Sequence, residues 1–419
     1  VNFLILINFL LQINSVNLTN FLIRIILVYL KVFLILINSP IRMNFLVLIN
    51  LLIRINFLVL INSLVRIHFL VIIFPKVQLF QIVINFQKAF SESIPFEPTA
   101  LLILNVTGSY GNTNYTILEK ELTISSPGKL EKCDTDCPYQ EFLQEVEKLV
   151  ISDEVTTIGK EAFSNLDNLQ SVEIPESVTK IEDSAFESCS SLTTIIIPNT
   201  VTEIGANCFF NCSSLQSVQL SNNITELPNG LFAGCTSLET VIFLGNVENI
   251  GENCFSNCTN LNSITLPNTV SEIKSNAFFG CSNLTNIIIP DSVSIIHDGC
   301  FQYCTNLETI TIPEKVTTIS PYLFNECSNL KSIMFLGYIA LIQQYSFYNC
   351  TNLNYVEIQS SNLCISDHSF EFCINLNSFI VYGYLDSIGE YCFAYCYSLL
   401  TFTISFDYEA NLLSFKNEK

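Results

Sequence analysis

Apolar residues recur along most of this chain in fixed columns with a period of 23. Phenylalanine sets the register, from Phe163, Phe186 and Phe209 to Phe393, eleven in all and without a slip. Six residues on, every copy has Leu, from Leu169 and Leu192 to Leu376 and Leu399. Three residues on, ten of eleven copies have Cys, and the first has Leu166. Nine and eleven on stand two more apolar residues, such as Ile195 and Ile197, or Ile264 and Leu266. Pro often follows (Pro175, Pro198, Pro267, Pro290, Pro313), and Val178 and Ile181 exemplify two further apolar columns.

The spacing predicts the elements. In Leu-x-x-Ile-x-Ile the last two apolar residues are two apart, on one face of a short strand. Pro is tolerated where a strand ends and the chain turns away. Ala/Cys-Phe-x-x-Cys places apolar groups three and four apart, which suits a helical turn. Each copy has no second layer of its own, so it buries its apolar face only against its neighbours in a solenoid. The strands then join one parallel sheet at ~4.8 Å per rung.

The unit, as in Ile273–Leu284 (IKSNAFFGCSNL) followed by Ile287–Val293 (IIIPDSV), closely resembles the BspA-like leucine-rich repeats of the Treponema type. The resemblance covers about residues 150–405. It implies a right-handed leucine-rich-repeat solenoid of about eleven 23-residue rungs, with a parallel β-sheet on one face and short helical turns or loops on the other. It also implies a surface protein engaged in adhesion or host-protein binding. No catalytic residues and no ligand-contact motif carry over from it.

Five segments follow from the pattern. Residues 1–90 are low-complexity and apolar, 91–132 read as a linker with a strand near Leu101–Val106, and 133–162 as an N-terminal cap and degenerate rung. In that rung Leu143, Val146, Leu149, Ile151 and Val155 keep the columns while Gln140 replaces Phe. Residues 163–405 are the repeats and 406–419 a C-terminal tail, which either folds over the last rung or belongs to a truncated copy.

Residues 1–90 carry a twelve-residue repeat, NFLVLINLLIRI from Asn44 and NFLVLINSLVRI from Asn56 among its copies. Its strongly polar residues all fall at even positions, a strand-like parity. Three readings stay open. A membrane segment at Leu18–Ile37 contains Arg24 and Lys31, whose insertion costs roughly 5–7 kcal/mol, and its apolar residues return a similar amount. A secretory signal fits poorly in length and charge placement. Translation of a repetitive AT-rich tract upstream of the true start fits the near-identical twelve-mers and the opening Val1.

Charge divides the chain. Residues 1–91 hold four Arg, three Lys and no acid, a net +7, while 92–419 hold eleven Lys, no Arg and 38 acids, a net −27. An acidic repeat domain disfavours nucleic acid, since phosphate binding needs clustered Lys and Arg. It suits basic partners and solubility.

Of the 17 cysteines, ten form the column three after Phe, and Cys208, Cys254, Cys300 and Cys392 directly precede Phe. Metal or disulfide chemistry along the column competes with service as a small buried apolar residue, which regular recurrence favours. Nothing groups into the closed four-ligand sets zinc requires, and no cofactor motif is present. Cys133 and Cys137 lie outside the columns and are the candidate disulfide. Sequons stand at Asn105, Asn114, Asn211, Asn223, Asn257, Asn283 and Asn349, several of them generated by the repeat itself. His68, His297 and His368 share no column, and no nucleophile–base set converges, so nothing points to an enzyme.

One column has a longer beat. Ten residues after Phe, on the outer face of the strand, it reads Glu173, Ile196, Gln219, Ile242, Thr265, Ile288, Thr311, Met334, Glu357, Ile380, Thr403. Polar and apolar residues alternate without exception. Two positions earlier the flanking column is Ser or Thr in nine of eleven rungs. Solvent-facing Ile on a sheet signals contact with something. Ile196, Ile242, Ile288, Met334 and Ile380 are therefore the candidate protein-binding stripe, at ~10 Å intervals and rimmed by hydroxyls. The leading reading is a non-catalytic protein-binding chain at a cell surface or secreted, with membrane association through 1–90 open. The alternative is a cytoplasmic scaffold of the same fold with reduced buried thiols. Neither the ligand nor the oligomeric state is legible.

Overall fold

The computed structural model describes residues 105–110, 112–133 and 140–405. The readings made of residues 1–90, of residues 101–104, of Cys137 and of the tail 406–419 lie outside them. The described chain is a parallel β-solenoid of about twelve turns with almost no helix. A single 3-10 turn, Gln140–Glu145, is the exception, and it belongs to the rung in which Gln140 replaces Phe.

Two series of parallel strands run along the stack, each divided into several short ladders. The front ladder is built from Leu-x-x-Ile-x-Ile and keeps the 23-residue register, with Ser217 paired to Thr194 on one side and Thr240 on the other. The side ladder uses the residues just before the next Phe, as in Glu272–Ile273, which pairs Asn249–Ile250 and Ile295–Ile296. Between the ladders the chain turns a corner at the Pro position. Where Gln359 and Tyr382 replace Pro, the corner is bridged by continuous eleven-residue strands, Tyr355–Ile365 and Ser378–Ile388. Proline cannot donate to a ladder, so the front strands that run into it stop at three or four residues, as in Thr194–Ile196 and Thr309–Ile312.

The N-terminal end is closed by an antiparallel meander. Strands Asn105–Tyr110, Thr113–Leu118 and Glu121–Ser125 pair in sequence, and the last then pairs parallel with Lys148–Ile151. The stretch 91–132, expected as a linker, is thus strand from residue 105 to 130 apart from its turns. Tyr115, Ile117, Leu122 and Ile124 alternate inward on polar strands and cover the first rung. Leu143, Val146, Leu149, Ile151 and Val155 of the degenerate rung are buried in their expected columns.

The core is columnar. Successive Phe rings from Phe163 to Phe347 stack at 5.3–5.8 Å between centroids and within 20° of parallel. Each thiol of the column three after Phe donates to the Phe carbonyl of the preceding rung, from Cys189 Sγ to Phe163 O at 3.2 Å to Cys396 Sγ to Phe370 O at 3.1 Å. The first rung follows the one that lacks Phe, and it has Leu166 in place of Cys.

The Phe turn departs from its expected form. In place of a helical turn, the chain makes successive i→i+3 turns, such as Ser164 N to Glu161 O and Cys189 N to Phe186 O. The residues two before and two after every Phe have positive φ, Glu161 and Asn165 in the first rung and Tyr391 and Tyr395 in the last. This left-handed twist aims alternate amides at the next rung: Glu161, Phe163 and Asn165 donate to Asp183, Ala185 and Glu187 at 3.0, 2.9 and 2.7 Å. A helix would direct those amides along its own axis and leave neighbouring rungs joined there by side chains alone. The turn side is therefore hydrogen-bonded from rung to rung, as the strands are.

Candidate protein-binding surface

The front ladder positions the candidate stripe. Its inward residues are two apart, so the residue between them faces out. Ile196 is 63%, Ile242 44%, Ile288 67% and Met334 50% exposed, against 2% for Ile195 and 3% for Ile287 beside them. Gln219 stands in register between Ile196 and Ile242, Thr265 beside Ile288, and Thr311 beside Met334. Ile380 differs: it is half-buried, in register with Glu357 and Thr403. Glu357 is itself engaged, accepting from Tyr355 Oη at 2.5 Å. Burial and that carboxylate both raise the Tyr355 pKa, burial being the larger cause. The stripe is thus strongest over its first four members.

Two residues enlarge it that the column reading missed. Leu244 and Leu336 are 47% and 48% exposed, two positions after Ile242 and Met334 and on the same face of the chain. Both occupy the corner position that Pro175, Pro198, Pro267, Pro290 and Pro313 hold in other rungs. Apolar Leu at a position so often held by a strand terminator was the available signal. The rim is hydroxylated as expected, with Thr194, Thr240, Ser263, Thr309 and Ser332 exposed.

The cysteines are core. Fifteen are free thiols, all buried except the half-buried Cys364 and Cys396. No disulfide links the column, and no cluster of three or more metal-ligating side chains occurs among the described residues. Desolvation by burial raises the Cys281 thiol pKa to about 12 and that of Cys396 to about 11, so these two groups stay protonated and inert at neutral pH. Cys133 is disulfide-bonded. Its pairing with Cys137 remains a proposal, since Cys137 lies outside the described residues.

Among the described residues the best-formed depression is shallow, about 500 Å³, and lined by Glu239, Asn260, Asn262, Asn283, Thr285 and Asn306. His297 and His368 each face one carboxylate, Glu272 at 2.7 Å and Glu371 at 2.6 Å, on different rungs. No helix of the described residues is long and apolar enough to cross a membrane.

The family model described as BspA type leucine rich repeat region matches residues 139–262, 225–354 and 322–417, well over half of the chain. The chain belongs to the BspA-type leucine-rich-repeat family. Several solved structures resemble this BspA-type solenoid. A leucine-rich repeat protein from Bacteroides ovatus is 20% identical, with a TM-score of 0.47, covering 73% of this chain and 100% of that one. A leucine rich cell surface protein from Faecalibacterium prausnitzii is 22% identical, TM-score 0.35, covering 73% and 96%. The leucine-rich repeat protein of T. pallidum is 19% identical, TM-score 0.25, covering 76% and 96%. No curated protein matches the chain. The family is one of leucine-rich-repeat proteins, consistent with a protein-interaction role.

Proposed function

We propose that this chain is a non-catalytic binding protein, displayed at a cell surface or secreted, that engages a host or neighbouring protein through the strand face of its solenoid. One observation carries the reading: Ile196, Ile242, Ile288 and Met334 hold 44–67% exposure on a face whose alternate rungs are polar. Isolated exposed apolar side chains are ordinary, but four in one column at two-rung spacing form a repeated anchor. A partner burying each would gain roughly 1.5–3 kcal/mol per side chain before the costs of association. The shallow relief of the described surface suits binding more than catalysis.

The test is adhesion of the purified full chain to host cells and to immobilised extracellular proteins, beside an Ile242→Ser/Ile288→Ser variant. Both positions point outward, so the fold should hold by circular dichroism while adhesion is lost. Undiminished adhesion by the folded variant removes the stripe from the reading.

A second reading, a cytoplasmic scaffold of the same fold, is favoured by the fifteen free thiols. Glycosidase treatment of the chain from its own cells separates the two. A mobility shift rules out the cytosol; reduced thiols without glycans favour the scaffold.

A further inference from the structure

The strand face is free of charge, although residues 92–419 hold 38 acids. Seven successive front strands, from Thr194–Ile196 to Ser332–Phe335, turn their first and third residues outward. None of those outward residues, from Thr194 and Ile196 to Ser332 and Met334, is Asp, Glu, Lys, Arg or His. Charge returns at both ends of the strip. Glu173, 2.8 Å from Lys148, holds the outward column one rung before Ile196, and Glu357 holds it one rung after Met334. An uncharged centre with a polar rim is the layout of a protein–protein interface. The strip runs ~29 Å over its six steps, about the width of a standard interface of ~800 Å² per partner.

Spacing narrows the choice of occupant. The apolar members stand two rungs apart, at ~9.6 Å. Two turns of an α-helix advance ~10.5 Å, so a helix laid along the stripe falls ~3 Å out of step between Ile196 and Met334. An extended strand shows one face every ~6.7 Å and does not match. A polyproline helix, at ~9.3 Å per turn, drifts by ~1 Å over the same length. A second copy of this chain has the same interval and does not drift. Charge points the same way. A basic partner calls for carboxylates, which the side strands expose at Glu203 and Glu226 and the stripe lacks. A copy carrying the same acids needs a face without them. The build of the rung also fits. Backbone hydrogen bonds join the rungs on the turn side as well as the strand side. The back of the stack is therefore not splayed as helices ~10 Å wide would splay it, and the strand face is not forced into a hollow.

Resting on the reading of the stripe as a binding surface, we propose that its partner is a second copy of this chain, docked strand face to strand face across a two-fold axis. Such a contact sets one patch against itself. Ile196, Ile242, Ile288 and Met334 lie symmetrically about Thr265, which pairs in register beside Ile288. Whether the two copies run parallel or antiparallel, a register that sets all four apolar residues against apolar residues brings Thr265 opposite Thr265. Gln219 and Thr311 then also meet polar groups, so no apolar side chain is pressed against an amide or hydroxyl. For a chain displayed on cells, this contact would join like surfaces.

Sedimentation velocity of the full chain tests it. The wild type should show a monomer–dimer equilibrium that tightens as salt rises from about 50 to about 500 mM, because screening relieves repulsion between two acidic chains and spares apolar contact. Association with a basic partner would loosen instead. Ile242→Ser/Ile288→Ser should weaken the dimer by about tenfold or more. Thr265→Glu and Thr265→Lys should each do the same, since each sets a charge against its own copy. An equimolar mixture of those two variants should dimerise again, because the facing charges then attract. Circular dichroism checks that all of them, altered only at exposed positions, keep the fold. A wild type still monomeric at about 100 µM overturns the proposal. So does a dimer that these substitutions leave unchanged, or a mixture that dimerises no better than its separate components. Binding of a labelled deca-proline peptide to a monomeric wild type, lost in the Ile→Ser variant, overturns it in favour of a polyproline segment. A monomeric wild type whose adhesion to host proteins is lost in the Ile→Ser variant removes the second copy and keeps the stripe. A stripe-dependent dimer beside undiminished host adhesion removes the host partner and supports the second copy.

Discussion

The side-chain oxygen of Asn211 occupies the space beside Gly234 where a side chain would begin: a β-carbon there would stand 2.2 Å from Asn211 Oδ1. Both residues are left-handed, at φ 57° and 77°. The same pairing joins Asn257 to Gly280, Asn207 to Gly230 and Asn276 to Gly299. At these four places the amide leaning over one rung leaves no room for a β-carbon in the next, whereas Asn165, Asn253 and Asn349 are followed by Ser188, Asn276 and Phe372.

Gly234→Ala should therefore destabilise through both strain and collision, by about 2–3 kcal/mol, and by only roughly 1–2 kcal/mol in an Asn211→Gly background, where strain alone remains. Urea denaturation of the four proteins measures the coupling. Equal losses in both backgrounds would show that the amide is not the obstacle.

The Phe column should be graded along its length. Phe255 is fully buried between two rings, whereas Phe393 is half-buried. Phe255→Ala should cost about 3–5 kcal/mol and Phe393→Ala roughly 1–2 kcal/mol. Hydrogen exchange should place the new opening at the centre of the stack in the first variant and at its end in the second.

Alkali should unfold the protein. The ordinary thiol value is 9.0, and burial lifts Cys281 and Cys392 to about 12 in the folded chain, with the other buried column thiols from Cys208 to Cys373 also raised. The unfolded chain releases these protons first, so the stabilisation is complete below pH 9 and falls above it. Each such thiol removes about 1.4 kcal/mol per pH unit until its folded value is reached. Urea midpoints from pH 7 to 10.5 should be flat and then drop steeply, and Cys281→Ala should make the drop shallower. At pH 8 a thiol reagent should modify mainly the half-buried Cys364 until urea is added.

An amide chain runs up one edge, with Asn306, Asn329 and Asn352 each donating to the Asn one rung earlier at 3.3, 3.1 and 3.1 Å. Asn329→Asp keeps the acceptor and loses the donor, which should cost about 1 kcal/mol. A urea midpoint equal to wild type would mean that water replaces the bond without loss.

Much of this was legible because periodicity is a property of the chain itself. Phe163 to Phe393, the Leu and Cys columns and the strand pattern name their own neighbours, since a rung without a second layer has only adjacent rungs to pack against. The outward column was legible for the same reason: Ile196 and Ile288 sit between inward residues, and a strand has only two faces. The turn was not. Apolar spacing of three and four suits a helix, but rung-to-rung hydrogen bonding required left-handed residues at both flanks of Phe, and Asn and Gly there were the only trace. Ile380 also follows the alternation yet is half-buried, because exposure depends on what neighbouring rungs place beside it. Sequence thus determined the repeat, the register and the inward columns, which are local consequences of residue type and spacing. Tertiary structure alone decided which backbone amides cross between rungs, which Asn meets which Gly, and that Tyr322, Tyr345, His368 and Tyr391, each 23 residues from the next, share one surface. Those depend on backbone dihedrals and side-chain directions that only the assembled stack sets.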